Sequence, residues 1–160
     1  MNTISTKKLM KKQFFNGRFW RYDVIVKYMF IEEFYKQDKP DDFDFDLYNK
    51  LYLGISKIKR IKTEDFIPLI YSFEEKGYDP DWPINVGKKE YYLCGGSHRF
   101  ALALWHDINE IPIDLHPKCK RKPDRFNGRW MKKHGFESDM SKIRKVRDRI
   151  FFRLGMKNGK

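Results

Sequence analysis

The chain of 160 residues contains only two cysteines and four histidines. Cys94 and Cys119 supply neither a disulfide framework nor metal-ligand spacing, so a reducing compartment is the default expectation. Cys94, at the end of a short strand, reads as a small buried hydrophobe without reactivity. Carboxylates and histidines nowhere gather into a compact metal cluster, which ranks a metal-dependent nuclease last among the activities considered. The acidic stretch from Lys39 to Asp46 lacks the central glycine and closing glutamate of a calcium loop. No apolar run is long enough to span a bilayer, and the basic segment Met1 to Lys12 leads into Phe14-Phe15-Asn16-Gly17 rather than into an apolar signal sequence. A cytoplasmic protein is therefore expected. Internal repeats, low-complexity tracts and a convincing linker are also missing, so residues 1–160 read as one domain, with helical residues 20–62, a core over 63–115 and a basic helical extension over 116–160.

Aromatic residues, by contrast, make up 17% of the chain, which implies a core filled by rings. Charge is unevenly placed. Residues 1–117 hold 18 Lys and Arg against 18 Asp and Glu, and residues 118–160 hold 16 against 4, so the net charge of +12 lies in the tail. Cations at that density attract polyanions such as DNA or RNA, and membrane phosphates would also serve. The plainer alternative is a solvated basic helix, because Ile143, Val146, Ile150 and Phe151 or Leu154 recur at helical spacing among the charges. Asp139 or Ser141 is positioned to cap it. Phe126, Trp130 and Phe136 read as anchors that hold the tail on the body.

Helical periodicity appears earlier as well. Trp20, Val24, Tyr28, Ile31 and Phe34 or Tyr35 predict an amphipathic helix over about 20–36, with Arg21, Asp23, Glu32 and Glu33 on its polar face. Ordinary pairs of Asp23 with Lys27 and of Glu32 with Lys36 account for those charges. After a loop with anchoring phenylalanines, Leu47, Leu51, Ile55 and Ile58 predict a second helix ending in the cluster Lys57, Lys59, Arg60 and Lys62, which could meet phosphates. A third begins at Thr63 or Asp65, tolerates Pro68 in its first turn and stops at Gly77. A turn over residues 78–83 then precedes a strand at Ile84-Asn85-Val86.

The most informative stretch is Leu93-Cys94-Gly95-Gly96-Ser97-His98-Arg99, followed by Phe100-Ala101-Leu102-Ala103-Leu104-Trp105. A strand over Glu90 to Cys94 meets a short buried helix with Ser97 as its N-cap. Backbone N–H groups of a helix start carry partial positive charge and suit a phosphate. Gly95 and Gly96 allow positive φ and a close approach, Arg99 offers a charged fork, and His98 offers a donor or proton carrier. The alternative is a tight glycine turn with Arg99 on the surface.

The order Ser72-Phe73-Glu74-Glu75-Lys76-Gly77, Trp82-Pro83-Ile84-Asn85-Val86, the corner, then Ile111-Pro112-Ile113 resembles the ParB and sulfiredoxin-like family over residues 63–115. That resemblance implies an α+β fold, a small mixed sheet with flanking helices. It also implies that Gly95, Gly96, Ser97, His98 and Arg99 bind the phosphates of a nucleotide. Sulfiredoxins carry Gly-Cys-His-Arg at this corner. Ser97 replaces the reactive thiol, which excludes reduction of a sulfinic acid by that route. Chromosome-partitioning members show Gly-Glu-Arg-Arg and continue into a helix-turn-helix, and nothing after Leu115 reads as one. What the resemblance then implies is an ATP-dependent phosphotransferase acting on a hydroxyl of a small molecule or sugar. Mg²⁺ would offset phosphate charge, Arg99 would stabilise developing charge, His98 would bond the phosphate or relay a proton, and Glu32 or Glu33 would orient the acceptor. The competing expectation is a nucleotide-gated DNA- or RNA-binding protein without catalysis.

Overall fold

A computed structural model describes residues 2–53, 63–122 and 124–157. Ile55, Ile58 and the cluster Lys57, Lys59, Arg60 and Lys62 lie outside the described residues. The fold mixes helices with one small mixed sheet, as an α+β reading expects. In chain order the elements are β1 (Asn2–Ser5), α1 (Thr6–Lys11), β2 (Phe14–Phe15), β3 (Arg18–Phe19), α2 (Tyr22–Lys36), α3 (Asp46–Leu53) and α4 (Thr63–Lys76). They continue with β4 (Ile84–Gly87), β5 (Leu93–Gly95), α5 (Ser97–Trp105), β6 (Glu110–His116), α6 (Gly128–Met131) and α7 (Met140–Arg153). Among the described residues no helix is long and apolar enough to cross a membrane.

The sheet order is β1-β6-β4-β5. β6 lies parallel to β4 and antiparallel to β1, and β5 returns antiparallel to β4. Parallel strands need a crossover, and here α5 lies between β5 and β6 in the chain and supplies it. The basic segment before Lys12 thus contributes a sheet strand, with Ile4 buried opposite Ile111. The core extends beyond residues 63–115 for that reason.

Helix α2 departs from the amphipathic expectation. Every residue from Tyr22 to Ile31 is buried, including Ile25, Val26, Met29 and Phe30 between the expected apolar positions. A helix apolar on nearly all faces belongs inside a fold, and α2 packs against α5, α3 and α7. Aromatic rings fill the space around it. Phe30 meets Phe43, Tyr48 and Phe66 at centroid separations of 4.8, 4.9 and 4.7 Å, within the range in which ring pairs add to area burial. Phe43 anchors the acidic loop as expected.

The third helix begins at Thr63, so Pro68 falls in its second turn, and Gly77 closes it with φ of 73°. Trp130 and Phe136 are buried, while Phe126 is half-buried against Trp130. Asp139 sits at the start of α7 without a side-chain capping bond, and its carboxylate instead takes Lys50 Nζ at 2.6 Å. Cys94 and Cys119 correct two expectations. Their Cα atoms lie 6.2 Å apart and the two are joined as a disulfide, and Cys94 is exposed rather than buried.

Candidate functional site

The glycine corner is built differently from its sequence expectation. Gly95 ends β5 in extended conformation, and Gly96 alone takes the left-handed region, with φ of 89°. A Cβ there would also stand 3.2 Å from both Ile84 and Arg99. Gly96 is the residue that caps α5, and Ser97 is the first helical residue rather than the cap. The first backbone bond into the helix runs from Phe100 N–H to Gly96 C=O at 2.9 Å. N–H groups of Ser97, His98 and Arg99 therefore precede the helical ladder, where such donors seek an outside acceptor.

Relieved of capping, the Ser97 hydroxyl accepts from Lys27 Nζ at 2.6 Å. Lys27 comes from the middle of α2 and is 5% exposed. Its ammonium also lies 3.5 Å from Asp23, one turn earlier, and Asp23 accepts a two-point bond from Arg21 at 2.7 and 2.5 Å. Arg21 donates in turn to the Leu93 carbonyl. The result is a continuous buried chain from Leu93 through Arg21, Asp23 and Lys27 to Ser97. Its two ends grip the residues on either side of Cys94-Gly95-Gly96. From the other direction Gln13, fully buried, accepts from Leu93 N–H at 3.0 Å and donates to the Tyr91 carbonyl at 3.0 Å.

Burial of two cations around one carboxylate sets the electrostatics. Desolvation pushes Lys27 down to about 8, and Asp23 opposes that fall only in part. For Asp23 burial acts upward, but the charges of Arg21 and Lys27 outweigh it and hold the carboxyl below its ordinary value. The chain carries one surplus positive charge when all three groups are ionised. That surplus sits beside the open N–H groups of α5, so the corner is electropositive from two sources.

His98 and Arg99 face structural tasks. The His98 ring is 7% exposed, with Nε2 at 2.8 Å from the Tyr48 hydroxyl and 3.1 Å from that of Tyr52, and Phe66 edge-on at 4.6 Å. Burial, with Lys27 and Arg99 nearby, drives its pKa well below the ordinary histidine value, so the ring is neutral near pH 7. Arg99 Nη1 donates to the carbonyls of Trp82 and, at 3.1 Å, of Pro83. It thereby fastens the loop before β4 to the first turn of α5.

Glu32 and Glu33 stand elsewhere. At about 100° per residue they lie about 140° and 120° around α2 from Lys27, on opposite sides, so neither shares its face. Both Glu32 oxygens are held by Arg149, at 2.5 and 2.9 Å, rather than by Lys36. The hydrogen bonds from Arg149 hold its carboxyl below the ordinary range. Glu33 accepts from Gln37 at 3.1 Å. The structure thus brings Gly95, Gly96 and Ser97 together with Lys27, Asp23 and Arg21. Arg21 and Asp23 were visible in the sequence as members of a polar helix face, and Lys27 as the pair partner of Asp23.

Among the described residues no group of three or more His, Cys, Asp or Glu side chains is placed to hold a metal ion. The donors at the corner are N–H groups, an ammonium and a hydroxyl, a set that suits an anion rather than a cation. Comparison with family models, curated proteins and solved structures finds no match to this chain.

Proposed function

We propose that the glycine corner binds the phosphate groups of a nucleotide and that the protein transfers a phosphoryl group, with ATP as donor and a hydroxyl of a small molecule or sugar as acceptor. The observation that carries this reading is Lys27 Nζ at 2.6 Å from Ser97 Oγ, beneath the first turn of α5. Phosphoryl transfer asks a protein mainly for positioning and for fixed positive charge near the equatorial oxygens. A buried ammonium does that better than a solvated one, because the low surrounding dielectric strengthens its field and packing fixes its place. The N–H groups of Ser97, His98 and Arg99 add directed donors. Mg²⁺ would arrive on the phosphates themselves, since such ions use few protein ligands and keep several waters.

The geometry reassigns roles within this reading. Lys27 supplies the charge, Ser97 aligns it, Arg99 holds the loop that walls the corner, and His98 is the buried post on which α5 rests. We give Glu32 and Glu33 no part in phosphate binding. Calorimetric titration with ATP, CTP and ADP plus Mg²⁺ tests the reading on wild type, Lys27→Met and Arg99→Ala. Wild type should bind at least one nucleotide, Lys27→Met should lose tenfold or more in affinity, and Arg99→Ala should also weaken binding by freeing the loop that walls the corner. Equal affinity of wild type and Lys27→Met would overturn the assignment of the corner.

A second reading rests on the charge placement: cations of residues 118–160 bind a nucleic acid or other polyanion without catalysis, the corner serving as a nucleotide-responsive switch.

A further inference from the structure

A groove of about 600 Å³ opens between the β2–β3 hairpin, the start of α2, and helices α6 and α7. Five cations line it: Arg18, Arg129, Lys132, Arg144 and Arg147. No acidic side chain does. Arg147 is engaged with Asp148 at 2.8 Å and with the Tyr22 hydroxyl at 2.5 Å, and Arg129 stands 3.9 Å from Asp124. Arg18, Lys132 and Arg144 form no ion pair among the described residues. Five like charges around one concave space repel one another, and a ligand that brings several negative charges relieves the repulsion.

The occupant can be narrowed. Cations that converge on a concave space fit a chain that enters the groove better than a flat bilayer. The hairpin contributes one half-buried ring to the groove: Phe14, which packs against Phe19 at a centroid separation of 5.1 Å. A half-buried ring among the guanidinium planes of a cationic groove offers stacking to unpaired bases, whose faces a duplex hides. We propose that this groove binds single-stranded nucleic acid, with backbone phosphates on Arg18, Lys132 and Arg144 and a base against Phe14. The proposal rests on the second reading above and places it in one groove rather than over the whole tail.

The test is fluorescence anisotropy with labelled oligo(dT) and oligo(U) of about 20 nucleotides, a duplex of equal length, and phosphatidylserine vesicles as competitor. Wild type is compared with Lys132→Gln/Arg144→Gln and with Lys142→Gln/Lys145→Gln. The second pair removes two exposed charges of α7 that do not line the groove. Thermal melts should show both variants folded, since the substituted side chains are exposed or half-buried. Groove neutralisation should weaken single-strand binding tenfold or more and lower the salt slope by about 2, while the control pair changes affinity less than threefold. Equal weakening by both pairs would overturn the groove and leave a diffuse polyanion surface. Binding of the duplex as tightly as the single strand, or displacement by vesicles at matched charge, would overturn the single-strand assignment. No binding of any polyanion by wild type would remove the second reading itself.

Discussion

Arg21 and Lys27 are each 5% exposed and share one carboxylate, whereas Arg18, Lys132 and Arg144 line an open groove without an ion pair among the described residues. The same side-chain chemistry therefore does two different things in one chain. In the buried chain each charge is fixed by a neighbour, so its value to the protein is positional. It locks α2 to both flanks of the glycine corner and points one ammonium at Ser97. In the groove the charges are held apart by the backbone and left to water, so their value lies in long-range attraction. Burial makes the first set sensitive to loss of a partner, and exposure makes the second sensitive to salt.

The comparison breaks most readily at Asp23. Asp23→Ala would leave two buried cations without a counter-charge and should lower stability by about 3–5 kcal/mol in urea unfolding. A loss below about 1 kcal/mol would mean that Arg21 and Lys27 are solvated in solution. A smaller effect follows from pH. The unfolded lysine keeps its proton to about 10.5, but folded Lys27 keeps it only to about 8. Between those values the unfolded chain binds more protons, so stability should rise with pH from about 8 to about 10, by roughly 1–3 kcal/mol. Lys27→Met should flatten that rise, and a flat wild-type profile would refute the depressed lysine. At the low end, Glu32→Gln removes an exposed pair with Arg149 and should cost about 0.5 kcal/mol, vanishing at high salt, as surface pairs do.

The sequence carries periodicity and punctuation well, and position in the core less well. Gly77 stops α4, the strand at Ile84 and the helix after Gly96 are where composition places them, and the aromatic loop anchor at Phe43 is buried. The strand at residues 2–5 was not legible, because its partner β6 lies more than a hundred residues away and pairing leaves no local trace. Burial of Arg21, Asp23 and Lys27 was hidden for a related reason. A carboxylate four residues before a lysine looks the same on a solvated helix as on an enclosed one, and only the apolar residues filling the remaining faces of α2 signalled the difference. At the corner, Ser97 has the chemistry of a cap, but Gly96 takes the left-handed conformation and frees the hydroxyl for Lys27. The engagement of Arg99 with the Trp82 and Pro83 carbonyls had no sequence signal at all.

The strand order β1-β6-β4-β5 has a consequence for synthesis on the ribosome. Asn2 to Ser5 pair with residues 110–113, so this strand waits for its partner until that part of the chain has been made. Helix α2 and its neighbours α3 and α5 are made in the interval, and α7 only afterwards. The sheet that carries the glycine corner is thus completed by its earliest strand only once β6 has been made, and a substitution that weakens the β1–β6 pairing would delay completion of that sheet.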